Sequence, residues 1–395
     1  AGFATTFIIA RLLGAGVLGT FAMATSITVF LTIPTKAVGG TMNKRISERT
    51  DPSAYFTAGM LLIGFLLVVV SIVIIVASPL VNDYLGAPVA GLLALLVASN
   101  ATYNVYTSVL SGEKKVVSSG VLNTLEQVLR LVFQASLIVA GYSLAGLFVG
   151  KIFSLVVATL IGIYISDLSI VRPTAHHFQR LYDYGKYYWI SQMKGRSFSW
   201  IDIFILGFFV ESTLVGIYEV SWTLSSTLIL VSQSVQQTLF PEISEVGTND
   251  DYDRVRHLVN EALVFVGVFG IPGFFGALVI GGELLTIYRP VFEQGHVVLL
   301  FLITARLVDA YAYQLANVIS ALDYPEIEFR ISTMFMVVNA GLNLLFIWQF
   351  GWIGAAVATM LSTVLELGLS YRYLSSIIGQ VRVPSKSIFA QVAAS

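Results

Sequence analysis

The chain has 395 residues, 56% of them hydrophobic and 11% charged, with a formal net charge of −1 and no cysteine. A soluble domain carries about a quarter charged residues, so this composition argues against a soluble globule. Disulfides, zinc–thiolate sites and cysteine nucleophiles are excluded outright, and the near-zero charge points to no nucleic-acid partner.

The first apolar stretch, AGFATTFIIARLL (1–13), is too short to span a bilayer and lacks the basic leader and cleavage site of a signal peptide. It reads as the end of a helix that starts before residue 1. Longer runs follow, such as MLLIGFLLVVVSIVIIVA (60–77) and LVFVGVFGIPGFFGALVIGG (263–282). Runs near 20 residues match a hydrocarbon layer of about 30 Å at about 1.5 Å per helical residue. In lipid every backbone amide needs an internal partner, so such runs are helices. Helices are expected at 1–13 (partial), 17–38, 57–79, 89–110, 119–140, 143–165, 186–209, 213–236, 260–281, 294–320, 329–349 and 351–373. The expected fold is an all-α polytopic membrane protein of about twelve spans, with the lipid bilayer around it.

Lysine and arginine alternate between the loops. The even loops carry Lys44, Arg45 and Arg49, then Lys114 and Lys115, then Arg172, Arg180 and Lys186, then Arg254 and Arg256, then Arg330. The odd loops carry only Arg11 and Arg289. By the positive-inside rule both termini are expected in the cytoplasm of a multi-pass cell-membrane protein, with very short outer loops.

The chain also repeats itself. Thr41, Ile46, Ser47 and Glu48 reappear as Thr238, Ile243, Ser244 and Glu245, and Gly19 and Phe21 fall on Gly216 and Tyr218, all at one offset of 197. Two copies of a six-helix unit are expected, entering the membrane in the same direction because six is even. The division is a bundle over 1–165, a connecting loop over 166–185, a second bundle over 186–373 and a tail over 374–395. Projecting the second copy back places the start of the first helix about a dozen residues before Ala1.

Several motifs have ordinary explanations. GAGVLG (14–19) satisfies G-x-G-x-x-G, but it joins two membrane helices rather than a strand and a helix, and no acid follows at the required distance. Its glycines read as a tight turn and close helix contacts, and no cofactor is expected. His176, His177, His257 and His296 have no metal-ligand spacing to one another or to an acid, so no metal is expected. YDYGKYYW (182–189) reads as an interfacial aromatic belt.

Charges inside the spans carry more information, because each is costly in hydrocarbon and marks either function or a pair. Glu126 and Arg130 lie four apart on one helix face, in the favourable order for an ion pair, and Arg306 and Asp309 lie three apart. Each acid is expected to hold its arginine toward a cavity rather than lipid. Lys194 and Arg196 lie roughly 12 and 15 Å into their helix by rise, with no acid three or four residues away. Gly195 between them could let that helix open, and Asp202 adds polarity further along. Lys151 and Glu366 are weaker candidates, since either can reach toward an interface.

The segment WIDIFILGFFVESTLVGIYEVSWTLSSTL, followed by LFPEIS, resembles the polysaccharide-flippase branch of the multidrug/oligosaccharidyl-lipid/polysaccharide exporter superfamily. The resemblance rests on Asp202, Leu206-Gly207, Val215-Gly216-Ile217-Tyr218 and Pro241-Glu242-Ile243-Ser244. The opening ARLLGAGVLGTFAMA is similar to that branch's own, through Ala10, Arg11, Leu13, Gly14, Gly19, Phe21 and Ala24. It implies translocation of a polyprenyl-linked saccharide from the inner to the outer leaflet, alongside glycan-assembly enzymes. A phosphate or pyrophosphate headgroup would meet the cations Arg196, Lys194, Arg130 and Arg306. A cation-coupled multidrug antiporter is the nearest alternative, but it calls for acids dominating one bundle. A glycan polymerase or ligase would need a substantial outer loop carrying acid–base groups.

Overall fold

A computed structural model describes residues 2–248 and 251–380, leaving out the side chains at 2, 187–199 and 231. The described residues form helices joined by short turns, with no strand among them. In chain order the helices are α1 (Gly2–Leu13), α2 (Ala15–Leu31), α3 (Ile33–Ser47), α4 (Pro52–Val76), α5 (Ser78–Leu85), α6 (Ala90–Gly112) and α7 (Val116–Val139). Then come α8 (Leu144–Ile165), α9 (Ala175–Phe209), α10 (Ser212–Ser225), α11 (Ile229–Gly247), α12 (Tyr252–Thr286), α13 (His296–Ala321) and α14 (Pro325–Ile378). Among the described residues, six helices are long and apolar enough to cross a bilayer, and two bent pairs qualify together. This is the all-α, polytopic membrane architecture that the hydropathy predicts.

The helices cover all twelve expected segments, and the departures have local causes. The second segment is bent by 50° between α2 and α3. Pro34 lies in the first turn of α3, where it lacks an N–H for the helical ladder. The hydroxyls of Thr28, Thr32 and Thr35 donate back to the carbonyls of Ala24, Thr28 and Thr32 at 2.8, 2.8 and 2.9 Å, a contact that bends helices. The second copy has its own irregularity within one turn of the equivalent position. A 3₁₀ turn over Ser226–Leu228 precedes α11, whose first residue, Ile229, is Thr32 shifted by 197. There Ser226 and Thr227 donate to the carbonyls of Trp222 and Leu224.

Two stretches expected as loops are helical. Residues 39–47 extend α3, because Met42 and Ile46 bury themselves against Tyr55, Phe56, Val105 and Val109. Within 166–185, α9 begins at Ala175 behind a capping box in which the Thr174 N–H donates to His177 Nδ1 at 3.0 Å. The usual signal for such a box is a glutamate or glutamine at that position, and histidine concealed it. In α14, Gly351 takes φ 59°, ψ −140° and separates two helical rods at the expected boundary.

By contacts the chain falls into two compact units, Ala1–Gly216 and Ile217–Ser395. The first is centred on the Met42–Tyr55–Val105 core. The second is centred on Ile243, Val259, Ile319, Ile331 and Leu374.

Within the first unit, α2 and the start of α10 cross in unusually close contact. A Cβ on Gly19 would overlap the carbonyl oxygen of Ser212 and lie 2.8 Å from Gly216 N. A Cβ on Gly216 would overlap the carbonyl oxygen of Ala15 and lie 3.0 Å from Gly19 N. Gly16 faces Thr213 in the same way, with 3.4 Å from its Cβ position to Oγ1. Ala15, Gly16 and Gly19 shifted by 197 are Ser212, Thr213 and Gly216, so repeat-equivalent residues meet reciprocally, as a local twofold requires.

Candidate functional site

In the first unit the inward stripe of α7 carries Ser119, Leu122, Glu126, Gln134 and Ile138, all buried. Arg130 stands on the same stripe, one turn from Glu126 and one from Gln134, and is half-buried. The expected ion pair between Glu126 and Arg130 is not among those formed by the described residues. Glu126 reaches across to α8 instead, where Ser154 Oγ lies 3.1 Å from its Oε1. That hydroxyl also lies 2.8 Å from the carbonyl of Lys151, so its one proton is shared. Gln134 turns to α8 as well, its Nε2 donating to the carbonyl of Leu147 at 2.8 Å. The pairing rule for a helix surface holds only while no facing helix competes, and here one does.

Close by, Lys151 is 8% exposed, with Nζ 5.4 Å from the centre of the Phe21 ring. Tyr103 on α6 donates to Asn123 Oδ1 at 2.6 Å. The interior of this unit thus holds charged and polar side chains along α7 and α8, with Glu126 and Lys151 buried and Arg130 half-buried.

In the second unit, Arg306 on α13 is 6% exposed and held from three directions. Its Nη1 donates to Asp309 Oδ2 at 3.1 Å, forming the ion pair that the spacing predicts. Its Nη2 donates to Ser226 Oγ at 3.1 Å, and its guanidinium carbon sits 4.0 Å from the centre of the Trp222 ring. A stacked, hydrogen-bonded guanidinium keeps its charge in a buried site, because the aromatic face and the carboxylate both favour the cation. Trp222 and Ser226 come from α10 and the 3₁₀ turn, some 80 residues away in sequence, and nothing in the sequence marked them as partners of Arg306.

Lys194 and Arg196 lie on the α9 helix, but their side chains fall outside the described residues. Asp202, on the same helix, is buried at 3% exposure. Glu366 on α14 is also buried. Where a loop meets α7, the carboxylate of Asp167, 2.6 Å from Lys115 Nζ, raises the ammonium above its usual range despite partial desolvation. Among the described residues, no three histidine, aspartate or glutamate side chains gather to hold a metal.

A family described as polysaccharide biosynthesis protein matches residues 8–288. The probable flippase AglR of Haloferax volcanii is 34% identical over 395 residues, covering 99% of this chain and 83% of that protein. The probable low-salt glycan biosynthesis flippase Agl15 of the same organism is 30% identical over 373 residues, covering 93% of this chain and 79% of that protein. Among solved structures, the lipid II flippase MurJ in an inward closed conformation superposes with a TM-score of 0.84 at 12% identity, covering 98% of this chain and 86% of that one. At that identity the likeness is one of fold.

Proposed function

This chain belongs to the polysaccharide biosynthesis protein family, and from that premise we propose that it is a flippase carrying a lipid-linked oligosaccharide from the inner to the outer leaflet. Its substrate is a polyprenyl phosphate- or pyrophosphate-linked saccharide, supplied and consumed by glycan-assembly enzymes. The observation that carries this reading is that 99% of this chain aligns with a probable flippase while its interior holds buried charged side chains. An anionic headgroup needs such charges, while the sugar needs the polar interior around them. Two six-helix copies in the same orientation would alternate access to that interior.

In this reading Arg196, Lys194 and Arg130 are the cations available to the headgroup, Arg306 is a buried charge of the interior, and Asp202 is a polar neighbour in α9. The loop charges support cytoplasmic termini in the cell membrane. A reporter inserted at 49–51 should then read as cytoplasmic, and an external reading would overturn the orientation.

Arg196 ranks first on α9, since a planar fork can hold phosphate oxygens at two points where lysine offers a point charge. In a host lacking the native gene, Arg196→Gln should lower surface glycan by about tenfold, the loss of a charge-assisted contact. Lipid-linked precursor should accumulate on the inner leaflet, and Arg196→Lys should restore only part of the export. Full surface glycan in Arg196→Gln, at matched protein level, would remove α9 from the site.

A further inference from the structure

The two interior arginines of the described residues are held very differently. Arg306 has its fork divided between Asp309 and Ser226, and its face stacked on Trp222. Arg130 has none of this. Among the described residues no hydrogen bond or ion pair reaches its fork, whereas both fork nitrogens of Arg306 are engaged. Both neighbours on its stripe are turned away, Glu126 toward Ser154 and Gln134 toward the Leu147 carbonyl. Gln134 Oε1 is itself buried without a partner one turn away.

From this contrast we infer that Arg130 contacts the phosphate of the lipid-linked substrate, while Arg306 is a positioning residue that fixes α13 against the 3₁₀ turn at 226–228. The inference rests on the flippase reading and divides its cations by role. A guanidinium within a membrane protein is expensive to leave unpaired. Arg306 meets that cost with protein groups, so an anion would have to displace Asp309 to bind its fork. Arg130 leaves the cost unmet, and a phosphate oxygen arriving at it makes a charge-assisted bond without breaking one. Glu126, four residues away, turns to Ser154 on α8 and forms no ion pair with Arg130 among the described residues. Arg130 is flanked along its stripe by buried polar residues rather than by lipid-facing ones, which places the open charge in the interior.

The test uses the full chain purified in detergent and three probes. The first is a short-chain polyprenyl pyrophosphate bearing a labelled disaccharide, and the second is the same disaccharide on an uncharged polyprenyl ether. Inorganic pyrophosphate, as competitor, is the third. The wild type should prefer the charged lipid by at least about tenfold, the scale of one charge-assisted hydrogen bond. Arg130→Gln should erase that preference and leave the melting temperature unchanged, with Arg130→Lys recovering part of it. Arg306→Gln should do the reverse, lowering the melting temperature while keeping the preference.

If Arg130→Gln keeps the preference, or Arg306→Gln alone loses it, the division of roles is wrong and the flippase reading stands. A wild type with no preference would instead sink the lipid-linked reading, and this inference with it. Displacement of the charged lipid by pyrophosphate at equal concentration would mark a free-anion site and overturn the headgroup assignment.

Discussion

Asp309→Leu should destabilise the protein by about 3–5 kcal/mol, the cost of stranding one member of a buried ion pair. The side chain of Arg306 is 7% exposed and that of Asp309 14%, with 3.1 Å between them. Removing the carboxylate takes away the ion pair and leaves the contacts with Ser226 and the Trp222 face. A cation–π contact supplies about 2 kcal/mol or more when desolvated, so it offsets only part of the loss. Removing both charges is different, because buried pairs replaced by apolar residues of similar volume are often close to neutral. Arg306→Leu/Asp309→Leu should therefore be more stable than Asp309→Leu alone. Heating the three proteins in one detergent, with the melting midpoint read by size-exclusion, gives the order. An Asp309→Leu midpoint equal to wild type would show that the pair contributes nothing to the second unit.

The Arg306–Asp309 pair was legible because both partners sit on one helix at a spacing that the α-helix itself supplies. Glu126 and Arg130 have an equally favourable spacing, yet Ser154, 28 residues on, engages the acid. Local periodicity cannot see a competitor on another helix. For the same reason Trp222 and Ser226 went unread as partners of Arg306. The twelve segments were legible because hydrocarbon thickness acts on each run separately, and the offset of 197 because repetition is a property of sequence alone. The bend at Thr32 needed more than hydropathy. It arises where back-bonded hydroxyls and Pro34 fall within one turn, and hydropathy counts none of these. α9 begins at Ala175 rather than near 186, so Lys194 and Arg196 lie further along the helix than the depth argument counted, and their side-chain contacts lie outside the described residues.

The repeat leads to the other large effect. Gly19→Ala and Gly216→Ala should each cost about 2 kcal/mol, within the usual range for forcing a methyl into a packed contact. At both positions the new Cβ would overlap a backbone carbonyl oxygen, of Ser212 in one case and of Ala15 in the other. A backbone atom cannot swing aside as a side-chain tip does, so the helices must separate. Close helix crossings in membranes depend on small residues for this reason. The two contacts are reciprocal halves of one crossing, so whichever alanine comes first opens the space that the second needs. Gly19→Ala/Gly216→Ala should thus cost clearly less than the sum of the single changes, a coupling expected only of residues that share a contact. Gly64 supplies the control, since a Cβ there meets nothing within 4 Å, and Gly64→Ala on α4 should be neutral or slightly stabilising through helix propensity. Melting midpoints of the four variants in a common detergent decide the matter. Strict additivity, or a Gly19→Ala protein as stable as Gly64→Ala, would mean that these repeat-equivalent glycines do not form a single packed crossing.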